Sequence, residues 1–394
     1  MNGPGTPWSL LLSVALLVFG TNLQGVLLPI LGLEHGAGMI AIGLYSSAWS
    51  AGFVLACLLV GRLLSHLGHV RALMVLAMVS ALSTLLLLLH QTSAVWIALR
   101  VVIGFCFGGL LAIVESWLIE RAGSGRAFAS YMMVNLLASL CGTLCLNLIS
   151  PTGRAPFILM IVSVALSSLP ILFTRIARPA PVPPFRLDLG RLCRRSPLGT
   201  LGVVAAGLMT GALGGLGPIF GMEEGLSMGG DTLMLAANSV GGALAYALVG
   251  RLAERVDRRL LLAAFSLLGL LTCLPLVLAV HGATRGTVIA LFGLFGFAQY
   301  PLYGFSVGMV NSEGALVSKT QLSSEVLLLF GLGTIVGPLA GAQAMHLGVN
   351  LFGLVALVLV VLLAGILTQV ILTRGTAGRL VMPLMPPAKS GGTD

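Results

Sequence analysis

Twelve apolar runs of about 20 residues each dominate the sequence, which is the length a helix needs to cross a bilayer. Charged residues make up only 8% of the chain, against about 25% in a typical soluble protein. The runs lack the alternating polar and apolar positions of membrane barrel strands. We therefore predict an all-α membrane protein with twelve transmembrane helices. The predicted spans are 8–32, 40–61, 72–89, 94–118, 128–149, 156–174, 199–220, 232–250, 260–280, 287–310, 325–346 and 350–372.

A long polar stretch rich in proline and arginine separates the first six spans from the last six. Proline prevents a helix from continuing through this stretch, so it is interpreted as a solvated linker. The predicted organisation is an N-terminal six-helix bundle (1–174), a cytoplasmic linker (175–198), a C-terminal six-helix bundle (199–373) and a cytoplasmic tail (374–394).

Short motifs recur in the two halves at nearly constant spacing. Gly61-Arg62-Leu63 follows the second span and Gly250-Arg251-Leu252 follows the eighth, an offset of 189 residues. Gly104-Phe105 in the fourth span matches Gly296-Phe297 in the tenth, an offset of 192. Such a repeat predicts two pseudo-symmetric bundles around a shared cavity at the middle of the membrane, the arrangement of alternating-access transporters.

The net charge of +9 raises the question of a nucleic-acid partner, but the positions of the basic residues argue against one. Of the 21 lysines and arginines, 18 lie in the termini or in the loops that follow even-numbered spans. By the positive-inside rule, this side of the membrane is the cytoplasm. We expect both termini to be cytoplasmic, the lipid bilayer to be the main partner, and no nucleic acid to bind.

Several of these motifs resemble those of the major facilitator superfamily. The Gly61-Arg62-Leu63 loop, with Gly68 and Arg71 downstream, is similar to its cytoplasmic loop signature, and Arg100 with Gly104 is similar to its fourth-helix motif. Residues 333–341 (GTIVGPLAG) match its Gly-x-x-x-Gly-Pro-x-x-Gly pattern, although in the eleventh span, whereas drug antiporters have it in the fifth. The resemblance covers nearly the whole chain.

Within the superfamily, three segments together resemble the YcaD-like bacterial branch: residues 115–121 (ESWLIER), 196–199 (SPLG) and 300–303 (YPLY). The resemblance implies a secondary transporter of the bacterial inner membrane, without implying a substrate. It also implies gating loops formed by Gly61, Arg62, Gly68, Arg71, Gly250, Arg251, Glu254 and Arg255. One departure is that Ser65 replaces the loop acid of the first half, whereas the second half keeps Glu254.

Nothing in the sequence indicates catalysis. A phosphate-binding loop of the Walker type is absent, which argues against ATP as the energy source. The six histidines lack metal-ligand spacing, so we expect no metal and no cofactor. The leading hypothesis is a secondary active transporter of a small organic solute, with proton-coupled efflux as the expected mode. The alternatives are a transporter-derived sensor or scaffold that no longer moves solute, and a membrane-embedded enzyme.

Polar side chains inside the predicted spans are the candidates for substrate contact, because a polar group at this depth is costly unless it has a partner. Each of them could instead serve only as an interhelical hydrogen bond, and Arg100 as a structural ion. Their distribution over both halves predicts one shared polar cavity for a neutral or amphipathic solute. The candidate substrate-binding residues are Asn22, Gln24, Arg100, Asn135, Asn238, Gln299 and Tyr303.

Glu115, near the end of the fourth span, is the candidate for proton coupling. A coupling carboxylate must alternate between a desolvated state and a hydrated or arginine-paired state. Glu115 is interpreted as the acid most nearly inside a span. The neighbouring Trp117 and Glu120-Arg121 would equally suit a structural anchor at the membrane surface.

Overall fold

The computed structural model describes residues 8–122, 125–149, 153–169, 188–226, 228–249, 256–278, 284–313 and 319–377. Within these ranges the chain forms thirteen α-helices and no strand. The helices of the first half are α1 (Trp8–Glu34), α2 (Met39–Leu67), α3 (His69–Leu89), α4 (Ser93–Ala122), α5 (Gly125–Cys145) and α6 (Ala155–Leu166). Those that follow are α7 (Leu189–Arg195), α8 (Pro197–Glu223), α9 (Met228–Val249), α10 (Arg258–Leu278), α11 (Arg285–Glu313), α12 (Lys319–His346) and α13 (Leu351–Ala377).

The helices confirm an all-helical, multi-pass membrane protein. Nine of those described are long and apolar enough to cross a bilayer, namely α1 to α4, α8 and α10 to α13. Three shorter apolar stretches, Met133–Cys145, Ala155–Leu166 and Thr232–Leu248, coincide with the remaining predicted spans. The exact number of twelve crossings stays a prediction.

The two halves repeat the same backbone contact. In the first half, Gly104 of α4 lies against the backbone of Trp49 in α2 so closely that a Cβ atom would collide with its carbonyl oxygen. In the second half, Gly296 of α11 meets Asn238 of α9 in the same way. The two pairs are related by the offsets of the sequence repeat, 189 and 192 residues. Glycines at such contacts let helix backbones approach closely, so the repeat encodes duplicated helix packing.

We expect Gly296→Ala to destabilise the protein by about 1–3 kcal/mol, because overpacking forces α9 and α11 apart. Gly304→Ala is the matched control in the same helix, since a Cβ atom there meets nothing within 4 Å. Alanine also favours the helix over glycine, so Gly304→Ala should be neutral or stabilising. Thermal unfolding of the purified variants measures both effects, and equal midpoints for the two would contradict the close-approach explanation.

Contacts between helix junctions define two ends of the molecule. His35 Nε2 lies 3.1 Å from Gln91 Oε1, which brings the α1–α2 junction beside the α3–α4 junction. Asn350 Nδ2 donates to Glu224 Oε1 at 3.4 Å, which joins the α12–α13 and α8–α9 junctions. We call the end formed by these four junctions the opposite end, because it lies opposite the basic end defined next. The other end, which carries the exposed Arg62, Arg71, Arg194 and Arg195, is called the basic end.

Helix α7, at the basic end, was not predicted, because its sequence is polar and basic like the linker before it. Asp188 caps its start by accepting a hydrogen bond from the Arg191 backbone N–H at 3.0 Å. Leu192 is buried in an apolar cluster with Val203, Val310 and Leu322. The segment that precedes α8 is therefore packed against the C-terminal half instead of being wholly solvated.

The two halves meet through α2 and α12. Gly43 lies against Pro338 and Ala342 near the opposite end, and Val54 lies against Gly331 halfway along α2. Between these points, Ser47 Oγ donates to the Ile335 carbonyl at 2.6 Å. A further link at the opposite end is Thr232 Oγ1, which donates to Asn147 Oδ1 at 2.7 Å. These contacts run from the opposite end to the middle of α2.

Candidate functional site

A buried arginine forms the centre of a polar cluster in the first half. Arg100 of α4 is only 4% exposed. Its Nε donates to the Tyr45 carbonyl of α2 at 3.0 Å, and its Nη1 donates to Gln24 Oε1 of α1 at 2.8 Å. Gln24 Nε2 in turn reaches Thr84 Oγ1 of α3 at 3.4 Å. Arg100 thus links α4 to α1 and α2, and Gln24 extends the network to α3.

Aromatic rings enclose this cluster. The Arg100 guanidinium carbon lies 5.8 Å from the centre of the Trp49 ring, within the range of a cation–π contact. The Tyr45 hydroxyl is 2.8 Å from Ser93 Oγ, and the Tyr45 ring meets Trp96 edge-on at 5.5 Å. These contacts hold Tyr45 in place beside the guanidinium. The Tyr45 carbonyl that accepts the hydrogen bond from Arg100 Nε is therefore fixed in position.

The charge of Arg100 is balanced by dipoles and not by an acid in the part of the chain that the structure describes. No described acid lies within ion-pair distance of Arg100, whereas Asp188 and Arg191 do form an ion pair, at 3.5 Å. A carbonyl, an amide oxygen and an aromatic face supply the electron density around Arg100 instead. Burying a cation costs several kcal/mol unless such groups replace its hydration. A cluster of this kind can accept a further polar or negatively charged group.

The repeat does not duplicate this cluster. By the offset of 192 residues, Phe292 of α11 is the counterpart of Arg100. It is 1% exposed and packs against Phe220 at 5.6 Å and Phe352 at 5.0 Å. The scaffold is therefore symmetric where helices pack and asymmetric where charge is buried.

The other candidate substrate-binding residues lie in separate contacts. Asn22 of α1 accepts a hydrogen bond from Ser139 Oγ of α5 at 2.8 Å and donates to the Val18 carbonyl at 3.0 Å. Asn135, one helical turn before Ser139, is half-buried. The structure thus brings Gln24 to Arg100, while Asn22 contributes to the contact between α1 and α5.

In the second half, Gln299 is buried and its Nε2 lies 3.5 Å from Thr210 Oγ1 of α8. Among the described residues, its Oε1 and the Oδ1 of Asn238 are buried without a hydrogen-bond partner. Tyr303 contacts the Phe330 ring of α12 at 4.8 Å. Thr210 is exposed, so the Thr210–Gln299 pair reaches accessible space.

The gating-loop candidates are described only in the first half. Arg62, Gly68 and Arg71 are exposed, and Ser65 Oγ donates to the Arg62 carbonyl at 2.7 Å. Gly61 is half-buried, and a Cβ atom there would meet nothing within 4 Å. The second-half candidates Gly250, Arg251, Glu254 and Arg255 lie outside the described residues. Glu115 belongs to α4, but its side chain also lies outside the description.

Sequence reasoning missed Glu325. This acid of α12 is 1% exposed, and its Oε1 accepts a hydrogen bond from the Asp188 backbone N–H at 3.0 Å. It holds the start of α7 against the C-terminal half. The available signal was its position at the first residue of the predicted eleventh span, where an acid is unusual. In the described part of the chain, no three His, Cys, Asp or Glu residues are grouped as metal ligands.

Comparisons with known proteins agree with this architecture. A sequence model of the Major Facilitator Superfamily matches residues 10–324. An uncharacterized MFS-type transporter of Enterobacter sp. (strain 638) is 27% identical over 350 residues, which cover 86% of this chain and 87% of the relative. The uncharacterized MFS-type transporter YcaD of Escherichia fergusonii is 28% identical over 345 residues, with 86% and 87% covered.

Solved structures share the fold at low sequence identity. The nucleoside transporter NupG superposes with a TM-score of 0.72 at 14% identity, covering 91% of this chain and 98% of NupG. A bacterial homologue of the human lysosomal transporter Spinster, solved in an inward-facing, occupied conformation, gives 0.69 at 15% identity, with 94% of each chain covered. At these identities the likeness concerns the fold alone.

Proposed function

The chain belongs to the Major Facilitator Superfamily and is a membrane transporter, and we propose that it carries a small organic solute as a secondary active transporter by alternating access. The family match confirms the resemblance deduced from the motifs, including its YcaD-like character. We further propose proton-coupled efflux as its mode. The solute is neutral or amphipathic, because few fixed charges lie inside the spans.

The observation that carries this proposal is the one-sided contact between the halves. The contacts of α2 with α12 run from Gly43 near the opposite end to Val54 at the middle of α2. At the basic end of α2, by contrast, Arg62 and Ser65 are exposed. Alternating access requires a shared cavity that is closed at one end and accessible from the other. This arrangement fits a state open toward the basic end.

The proposed orientation places the basic end in the cytoplasm of a bacterium, with the protein in the inner membrane. The exposed arginines of the α2–α3 junction and of α7 support it, since cytoplasmic loops carry the excess of basic residues. In this orientation both termini are cytoplasmic, and the state described above faces inward.

For the substrate site we propose two groups that face each other across the halves. Gln24 and Arg100 supply a cation and an amide from the first half. Gln299, next to the exposed Thr210, supplies a buried amide oxygen from the second. Asn22, Asn135, Asn238 and Tyr303 complete the proposed polar lining. Gating is assigned to the two Gly-Arg-Leu loops.

The test is solute flux in proteoliposomes, with compounds first selected by their thermal stabilisation of the purified protein. Wild type should accumulate a selected solute when a pH gradient is imposed. Glu115→Gln should lose this accumulation but keep solute exchange, because exchange does not require the carboxylate to release its proton. Glu120→Gln, five residues further toward the end of α4, is the matched control and should keep both activities.

Other outcomes are equally informative. Loss of both activities in a folded Glu115→Gln protein would contradict the coupling role. A wild-type protein that binds compounds but moves none of them would contradict transport and favour the sensor or scaffold.

A further inference from the structure

A cavity of about 650 Å³ lies at the opposite end, within the first half. It is bordered by the end of α1, the end of α3 and the start of α6. Its volume falls in the range of small-molecule sites, about 300–1,000 Å³. Every residue that lines it belongs to the first half, so this cavity is distinct from the proposed substrate site between the halves.

The cavity carries two opposite charges. Glu34, the last residue of α1, and Arg154, just before α6, both line it and are both exposed. Within the described residues, neither takes part in an ion pair. Two unlike charges that face one space without meeting each other leave both available to a ligand. A ligand with complementary charges at its two ends gains from both.

The rest of the wall is partly polar and partly apolar. Gln91 and His35 contribute hydrogen-bonding groups and contact each other at 3.1 Å. Leu31, Leu88 and Phe157 provide an apolar side. Apolar walls with a few placed polar groups are typical of sites that orient a small ligand.

We propose that this cavity binds a zwitterion, with an ammonium group at Glu34, a phosphate or carboxylate group at Arg154, and a short apolar segment against Phe157. The same chemistry is found in the headgroup of a zwitterionic phospholipid and in a free solute. The position at one end of the helices makes the cavity accessible to either source. This proposal does not depend on transport.

The experiment is calorimetric titration of the delipidated full-length protein in detergent. The probes are a short-chain phosphatidylethanolamine, the matching phosphatidylglycerol, and free phosphoethanolamine. We expect saturable binding of the ethanolamine lipid and at least tenfold weaker binding of the glycerol lipid, which lacks the ammonium group. Binding of the lipid alone identifies the bilayer as the source. Binding of phosphoethanolamine as well shows that the zwitterion suffices, and either result supports the site.

Two variants remove one charge each, Glu34→Gln and Arg154→Gln, and each should weaken binding at least tenfold. The matched controls are Glu223→Gln and Arg285→Gln, which change exposed residues at the same end of the second half. All four positions are exposed, so the variants should fold. Absence of binding by wild type, equal binding of both lipids, or unchanged binding by both cavity variants would overturn the proposal.

Discussion

Replacing Arg100 with leucine is expected to abolish transport and to lower the free energy of unfolding. The guanidinium donates to the Tyr45 carbonyl and to Gln24 Oε1, and leucine would leave both acceptors buried. Each buried group without a partner costs about 1–3 kcal/mol. The loss should therefore be visible as a lower unfolding midpoint of the purified protein, together with the loss of solute flux in proteoliposomes.

Arg100→Lys separates the two effects. Lysine keeps the charge, but its single ammonium cannot reproduce the planar fork that reaches α1 and α2 at once. We expect this variant to fold with a smaller loss of stability than Arg100→Leu. The contact that lysine cannot make should slow transport about tenfold or more, because a factor of ten corresponds to about 1.4 kcal/mol.

The matched control for both variants is Thr84→Val, at the far end of the same network. Its contact with Gln24 is long, at 3.4 Å, and valine preserves the shape of threonine. Valine removes this one long contact of the Gln24 amide, whereas Arg100→Leu leaves two acceptors without their short hydrogen bonds, so Thr84→Val should lose less stability than Arg100→Leu and should keep transport. If Arg100→Leu transports at the wild-type rate and has an unchanged unfolding midpoint, Arg100 is not part of the substrate site.

The membrane fold could be predicted because its signals are local. Each long apolar run becomes a helix, and the sequence offsets of 189 and 192 residues return as matched contacts, Gly104 with Trp49 and Gly296 with Asn238. Helix α7 could not be predicted, because its seven residues are stabilised by tertiary contacts. Leu192 packs into the second half, and Glu325, 137 residues from Asp188, accepts a hydrogen bond there.

The sequence could identify which polar residues belong to the candidate site, but not which of them hydrogen-bond to one another. Depth in the membrane identified Gln24, Arg100 and Asn22, since polar groups there need partners. Which partners they find depends on helix packing, because Gln24 and Arg100 are 76 residues apart, and Asn22 and Ser139 are 117 apart. The sequence predicts one shared cavity for Asn22 and Gln24. In the structure, Asn22 links α1 to α5, whereas Gln24 hydrogen-bonds to Arg100.

Cross-linking the two halves at the opposite end is expected to stop transport completely and reversibly. Asn147 and Thr232 lie on different halves, and their side chains are hydrogen-bonded at 2.7 Å. In a background without the six native cysteines, Asn147→Cys and Thr232→Cys should react together with a short bifunctional thiosulfonate. Alternating access requires this contact to open once in each cycle. The covalent link prevents that opening, so flux should fall to the level of empty liposomes and return on reduction.

The same pair tests the orientation of the protein when an impermeant reagent is added to intact cells. If the basic end is cytoplasmic, the opposite end faces outward, and the exposed Cys substituted at position 147 should react from outside. A single cysteine in place of Asp188, at the basic end, should react only after the membrane is permeabilised.

In the cross-linking experiment, each single-cysteine variant of the pair is treated with the bifunctional thiosulfonate, which controls for modification without linkage. Continued flux in the cross-linked protein would show that the contact between the α5–α6 junction and α9 does not open during transport, and the alternating-access mechanism proposed for these halves would then be wrong.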